Sequence, residues 1–112
     1  MLVSQSVVVT VPTVEAALLR VLDSSPYPRA FYLHNLETAN TLTIKVESSP
    51  DGGVTYTQVG ATLAIAPGAM SPVWLVAAGP LIRLKGSGNG KMYVGLARFQ
   101  QAIDPVLTIV NL

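Results

Sequence analysis

The sequence contains no cysteine and little charge, and both deficits limit what the protein can be. Without cysteine in its 112 residues, the chain has neither a disulfide framework nor thiol chemistry. Charged residues make up 12% of the chain and hydrophobic residues 50%, whereas about 25% charge is typical of soluble domains. Such a composition leaves apolar surface that other subunits can cover, with a surface rich in Ser, Thr, Asn and Gln as the alternative. We therefore expect a single domain with much of its surface covered by other subunits.

The few charges are scattered, which excludes two classes of partner. The net charge is +1 and no cluster of Lys and Arg is present to neutralise phosphates, so we expect no nucleic acid. Residues 54–82 carry no acid or base except Tyr56, and this length could suggest a membrane helix. Pro67, Pro72 and Pro80 exclude it, because each interior proline costs a helix about 3 kcal/mol. The N-terminal residues lack the basic segment of a signal peptide. We expect no membrane partner.

Alternating apolar and polar residues predict an all-β protein. Leu42, Ile44 and Val46 share one face of a strand with period two. Similar runs recur with turn signals at intervals of about eight to twelve residues, which predicts one antiparallel β-sandwich or jelly-roll domain. The predicted strands cover residues 2–11, 29–35, 41–48, 54–59, 62–66, 72–77, 81–85, 91–99 and the C-terminal run VLTIVNL.

Residues 14–22 are the ambiguous segment. Their apolar residues recur at helical spacing after a possible cap at Thr13, which favours one short helix. A helix this short is weak, and the same residues suit a strand in a β-rich protein, so the strand remains open. The positions at helical spacing are Val14, Ala17, Leu18, Val21 and Leu22.

Residues 48–56, SSPDGGVTY, look like a binding site but predict a turn. Gly52 and Gly53 supply the positive φ angles of a tight hairpin, and Ser49 and Asp51 can bond the local backbone. The sequence motif at residues 49–56 resembles the Asp box of sialidase-type propellers. In that family the Asp box is a structural hairpin that lies away from the catalytic site. One copy cannot build a propeller. We expect a structural turn, with a calcium or sugar contact as the alternative.

A second glycine-rich segment, GSGNGK at residues 86–91, also predicts a turn. A phosphate loop would continue with Ser or Thr and a helix, whereas Met92 and a strand follow here. Asn89 and Gly90 are instead a hairpin signal.

The sequence predicts no catalytic residue, no cofactor and no metal. His34 is the only histidine, the carboxylates are not spaced for a metal, and no nucleophile motif frames a serine. We expect His34 to be a hydrogen-bonded strand residue. The aromatic residues Trp74, Tyr27, Tyr32, Tyr56 and Tyr93 could line a sugar platform, but the apolar strand around Trp74 favours core or interface packing.

A longer resemblance runs through residues 7–98, in the order VVVTVPTVEAALLRVLDSS, PRAFYLHNL, TLTIKVESSPDGGVTYTQV, IAPG and PLIRLKGSG. It is similar to small β-sandwich structural proteins of tailed bacteriophages, such as head decoration or cement proteins. The shared features are a strand from Arg29 to Asn35, the S-x-DGG hairpin, a proline-glycine turn and the strand Ile82–Leu84 before a Gly/Ser turn. The resemblance implies a non-enzymatic dimer or trimer on a virion, made in the host cytoplasm, with the major capsid protein or other virion proteins as partners.

The apolar ends of the chain are the expected contact segments. The C-terminal arm, residues 104–112, can add a strand to a neighbour's sheet, with an edge strand of the same domain as the alternative. The extended N-terminal strand, residues 2–11, and the apolar loop at residues 66–74 complete the surface. The expected interface residues are Leu2, Val7, Val9, Met70, Trp74, Val106, Leu107, Ile109, Val110 and Leu112. We therefore expect a capsid decoration protein, with a carbohydrate-binding module or a tail- or neck-associated virion protein as the alternative.

Overall fold

The computed structural model describes residues 2–22, 29–72, 74–76, 81–99 and 108–111, which form ten β-strands and no helix. The prediction of an all-β fold is confirmed. The strands are β1 (Leu2–Val11), β2 (Ala16–Leu22), β3 (Arg29–Asn35), β4 (Leu42–Ser49), β5 (Thr57–Gln58), β6 (Leu63–Ile65), β7 (Trp74–Val76), β8 (Leu81–Ser87), β9 (Gly90–Phe99) and β10 (Thr108–Asn111).

The strands form two antiparallel sheets, consistent with a β-sandwich. The four-stranded sheet has the order β1-β9-β3-β7. The six-stranded sheet has the order β10-β2-β8-β4-β5, and β6 pairs with β4 beside β5. The chain changes sheet at most of its connections, so strands that are neighbours in sequence are seldom hydrogen-bonded to each other.

The period-two alternation places every second side chain in the core between the sheets. In β3, Phe31 and Leu33 are fully buried, whereas Tyr32 and His34 between and after them are half-buried on the outer face. The same alternation runs through β4, β8 and β9. The buried apolar residues that pack together as the core are Val9, Val11, Leu18, Leu19, Val21, Phe31, Leu33, Leu42, Ile44, Val46, Ile65, Ile82, Leu84, Met92, Val94 and Leu96.

Most of the segment at residues 14–22 forms the strand β2, Ala16–Leu22, so the helix favoured from its spacing is wrong. β2 pairs with β8 on one side and with β10 on the other. A β-bulge between Ala17 and Leu19 places the consecutive residues Leu18 and Leu19 in the core, 4% and 0% exposed. Two adjacent buried residues followed by Val21 break the period of two. The bulge therefore explains why this strand imitates helical spacing.

The turn before β9 connects the two sheets, so the hairpin expected from Asn89 and Gly90 is wrong. β8 belongs to the six-stranded sheet and β9 to the four-stranded sheet. Asn89 has a φ of 63°, a left-handed conformation that asparagine tolerates better than most residues. The amides of Gly88 and Asn89 donate to the Pro12 carbonyl at 3.0 and 3.1 Å. Local turn chemistry fixes the change of direction, but not the sheet that the next strand joins.

A buried amide ties the end of β3 to neighbouring loops. Asn35 is fully buried, and its Nδ2 donates to the carbonyls of Asn40 and Ile65 at 2.8 and 2.9 Å. Its Oδ1 accepts from the Glu37 amide at 2.9 Å. Ser71 similarly accepts from the Leu33 amide at 3.0 Å through its hydroxyl. These bonds hold the segment around residues 65–71 along β3.

Candidate functional site: an open sheet edge and a tyrosine groove

The polar side chains of the turn after β4 form hydrogen bonds within the turn itself. The Ser49 hydroxyl donates to Asp51 Oδ1 at 2.7 Å and accepts from the Gly53 amide at 2.8 Å. Asp51 accepts from the Thr55 amide at 2.9 Å and from the Thr55 hydroxyl at 2.6 Å. The Thr55 hydroxyl bond is the largest cause that lowers the pKa of Asp51 to about 2, followed by the Thr55 amide and Ser49. Gly52 and Gly53 have φ angles of 75° and 99°. Both carboxylate oxygens are thus engaged within the turn.

The turn at Asn89 and Gly90 is also bonded to the protein itself. Asn40 Nδ2 donates to the Asn89 carbonyl at 2.6 Å, and Glu37 Oε2 accepts from the Lys91 amide at 3.0 Å. A Cβ at Gly90 would collide with Glu37 Cγ. A carboxylate beside this loop repels anions, which is a further argument against phosphate binding here.

His34 lies in β3 with its Nε2 3.2 Å from the Gly68 carbonyl. Within the described part of the chain, no group of three or more His, Cys, Asp or Glu residues could hold a metal ion. The same residues include no helix that is long and apolar enough to cross a membrane. His34 is therefore part of the strand's polar contacts.

Ionic contacts concentrate on the outer face of the six-stranded sheet. Glu15 is 2.9 Å from Lys45 Nζ and 3.9 Å from Lys85 Nζ. The hydrogen bond from Lys45 is the main cause that lowers the pKa of Glu15. Arg83 Nε donates to Glu47 Oε1 at 2.7 Å across β8 and β4. This face therefore carries charged side chains that form ion pairs with one another.

The outer face of the four-stranded sheet is neutral by contrast. Three rows of outward-facing residues cross β1, β9 and β3, and their side chains are small, hydroxyl-bearing or aromatic. These rows contain no acid, lysine or arginine; the next row, at one end, contains Lys91. The three rows are Ser4, Ala97 and Ala30, then Ser6, Gly95 and Tyr32, then Val8, Tyr93 and His34.

A groove of about 330 Å³ lies along these rows. The rings of Tyr32 and Tyr93 lie 6.4 Å apart with an interplanar angle of 80°, so they form two walls at nearly a right angle. The Tyr32 hydroxyl donates to Met70 Sδ at 3.3 Å. The sequence pointed to both tyrosines as platform candidates but not to the groove between them. The residues that line the groove are Ser4, Gln5, Ser6, Ala30, Phe31, Tyr32, Tyr93, Gly95, Leu96 and Ala97.

β1 is an edge strand of the four-stranded sheet. It has ten residues, pairs with β9 in an unbroken register from Leu2↔Phe99 to Val11↔Gly90, and contains no charge or proline. Among the residues that the structure describes, no strand pairs with its other edge. Val8, near its middle, is 52% exposed.

The expected N-terminal and loop contacts differ in exposure. Val9 is 5% exposed in the core, so its side chain is not available to a partner. Val7 packs against the core. Met70 is 53% exposed and forms an isolated bridge with His34. Leu2 lies in β1, but its side chain is outside the described part.

The C-terminal contacts expected from the sequence lie in or next to β10. Ile109 and Val110 pair with Val21 and Arg20 of the same chain, so this segment is an edge strand of its own sheet.

The remaining expected contacts fall partly or wholly outside the described residues. Trp74 lies in β7 opposite Phe31, but its side chain is not described. Val106, Leu107 and Leu112 lie outside the described residues altogether.

Comparison with known protein families and with curated proteins finds no match to this sequence. Among solved structures, the chain is similar to a protein of the Bacillus endospore appendages, which form a family of disulfide-linked pili. The two chains share 20% identity with a TM-score of 0.55, and the match covers 89% of each. A second structure, the Yersinia pseudotuberculosis-derived mitogen, is matched at 10% identity over 93% of this chain and 92% of the other, with a TM-score of 0.45. The similarity to the pilus chain shows a shared fold alone, and this chain has no cysteine for disulfide links.

Proposed function

We propose that this protein is a non-enzymatic structural protein that assembles through its first strand, the open edge of the four-stranded sheet. The observation that carries the proposal is the character of β1. An exposed sheet edge presents unpaired N–H and C=O groups that pair with another strand unless the edge is protected. A strand itself resists such pairing through short length, charge, proline or a bulge, and β1 has none of these features over its ten residues.

The other edge strands are short over the residues that the structure describes. β7 has three residues and β10 has four. At the far edge of the six-stranded sheet, β5 has two residues and β6 has three. Since natural proteins use very short edge strands to prevent association, the long uncharged β1 stands apart from the other edges. A long edge without protection is a feature of strand-to-strand assembly.

A second copy of this chain is the partner that the chemistry of β1 favours. Antiparallel pairing of β1 with β1 about a two-fold axis brings no like charges together, because the strand is uncharged. Its β-branched residues Val7, Val8 and Val9 suit a pleated, half-buried surface. The half-exposed Val8 would gain cover from the partner strand. Such a contact is isologous, the symmetry of most soluble dimers.

We place this assembly in a virion, as a capsid decoration protein that contacts the major capsid protein and its own copies. The support is the sequence resemblance to small structural proteins of tailed bacteriophages, together with the low charge. Mass spectrometry of phage particles from the host strain that encodes the chain should detect it as an abundant component. Its absence from purified particles would leave the self-assembly intact and remove the virion setting.

Val8→Lys tests the edge directly, with Thr57→Lys as the matched control. Thr57 is exposed on the short strand β5, so the control adds the same charge to a different edge. In a two-fold pair, two copies of Val8 lose about 1–1.5 kcal/mol each of partial burial, and opposed like charges add about 0.2–1 kcal/mol. The dimer should therefore weaken roughly 30- to 1,000-fold. Light scattering over a dilution series measures this change.

The expected result is a dimer for the wild type and Thr57→Lys, and a folded monomer for Val8→Lys at the same concentration. A wild type that is monomeric throughout the series would refute assembly through β1. A Val8→Lys variant that remains dimeric would place the contact on another surface.

A further inference from the structure

We infer that the groove between Tyr32 and Tyr93 is a binding site for a neutral saccharide. The site lies on the outer face of the four-stranded sheet, and Gly95 is one of the residues that line it. Glycine in the interior of a strand weakens the strand, and often marks a place where a ligand or another backbone approaches closely.

Gly95 has no backbone or packing requirement for glycine. A Cβ built at Gly95 would lie 3.4 Å from Tyr93 Cε1 and 3.6 Å from Tyr32 Cβ, which are ordinary contact distances. Its φ lies outside the left-handed region. The other glycines in the described ranges each show one of two features that Gly95 lacks. A positive φ applies to Gly52, Gly53, Gly60, Gly68 and Gly88, and a close neighbour occupies the Cβ position at Gly86 and Gly90.

The walls of the groove fit the two surfaces of a sugar ring. The aromatic rings of Tyr32 and Tyr93 can pack against the apolar C–H face of a pyranose, and phenolic and serine hydroxyls can bond its rim. Ser4 and Ser6 supply such hydroxyls on the β1 side. Ligand sites commonly combine an aromatic lining with a few polar groups in pockets of about 300–1,000 Å³. A groove of about 330 Å³ is at the small end of that range.

The absence of charge selects among saccharides. No lysine, arginine, aspartate or glutamate lines the groove, so an acidic or basic sugar would lose hydration without gaining an ion pair. A neutral hexose or N-acetylhexosamine meets no such penalty. Binding would occur on the outer face of the sheet, whereas the assembly proposed above uses the backbone edge of β1, so the two proposals can fail separately.

The test is an amide-resolved NMR titration of the full chain with three probes: cellotetraose, maltotetraose and the tetramer of N-acetylglucosamine. At least one probe should shift the amides of residues 4–6, 30–32 and 93–97 at about 10 mM, tenfold above a millimolar Kd. Gly95→Val fills the groove and adds a β-branched residue that strands favour. We expect it to weaken binding at least tenfold while the melting temperature stays the same or rises. Ala64→Val, on an exposed position of β6, is the matched control and should bind like the wild type.

A second pair of variants separates the tyrosines from the rest of the surface. Tyr93→Ala should abolish the shifts, whereas Tyr56→Ala should leave them, because Tyr56 lies on the six-stranded sheet with its ring 3.6 Å below the Arg83 guanidinium. The proposal is overturned if no probe shifts the groove amides, or if Gly95→Val binds as tightly as the wild type. Shifts of residues 30–32 and 93–97, which lie away from the β1 edge, that grow with protein concentration alone would assign this face to contact between copies, and would overturn the saccharide site.

Discussion

Replacing Asn35 with alanine should destabilise the fold more than replacing Asn40 with alanine. Asn35 is fully buried at the end of β3, where its side chain makes three hydrogen bonds with backbone groups. Alanine removes both donors and the acceptor. The carbonyls of Asn40 and Ile65 and the amide of Glu37 then lose their partner together.

The size of the effect follows from the burial of these groups. Each net hydrogen bond contributes about 0.5–1.5 kcal/mol, and a buried carbonyl left unpaired, as at Ile65, costs about 1–3 kcal/mol. We expect Asn35→Ala to lower the free energy of unfolding by about 3–5 kcal/mol, a large share of the 5–15 kcal/mol typical of a domain. Asn40→Ala is the control, because the half-buried Asn40 side chain makes one bond, to the Asn89 carbonyl. We expect it to cost about 1 kcal/mol or less.

Urea denaturation followed by circular dichroism measures both values. Asn35→Asp adds a second comparison, because it preserves shape and the acceptor but directs a carboxylate oxygen at two carbonyls. It should be at least as destabilising as alanine. The free energies of unfolding of Asn35→Ala and Asn40→Ala should differ by more than about 1 kcal/mol, the net contribution of one hydrogen bond. A smaller difference would show that the bonds of Asn35 do not hold the neighbouring loops.

Two further predictions concern the turns. The folded-state pKa of Asp51 is depressed to about 2 from 3.8, so its contribution to stability is present above pH 4 and is lost as pH falls towards 2; Thr55→Val should raise this pKa, as measured by NMR titration of the carboxyl. Gly88→Ala should destabilise far more than Gly52→Ala. Both glycines have positive φ, but a Cβ at Gly88 would collide with the Thr41 carbonyl and one at Gly52 meets open space; equal melting temperatures for the two variants would refute the clash.

The fold class and most strands could be predicted because they depend on alternation. β1 and β3 begin and end where the sequence indicated, and β9 differs by one residue at its start. The 54–59 strand was predicted too long, since Thr55 is held in the turn by Asp51 and β5 covers only Thr57–Gln58. Side-chain bonds that end a strand are not visible in hydrophobic periodicity.

The errors lie where non-local structure decides. The bulge at Leu18 and Leu19 depends on pairing with β8, a partner far along the chain, so the local spacing of β2 suggested a helix. The groove likewise comes from residues of three strands, and a single sequence gives no register between them. Gly95 within the alternating run KMYVGLARF was the available signal, because a glycine there has no role in a turn.

The pairing of the first strand with β9 has a consequence for synthesis. Leu2 pairs with Phe99, so β1 leaves the ribosome long before its partner strand exists. The central part of this strand, rich in valine and free of charge, stays unpaired during that interval, and such segments are prone to aggregate. Pairings between distant parts of a chain also form slowly. The cell must therefore protect β1 until the residues of β9 have been translated.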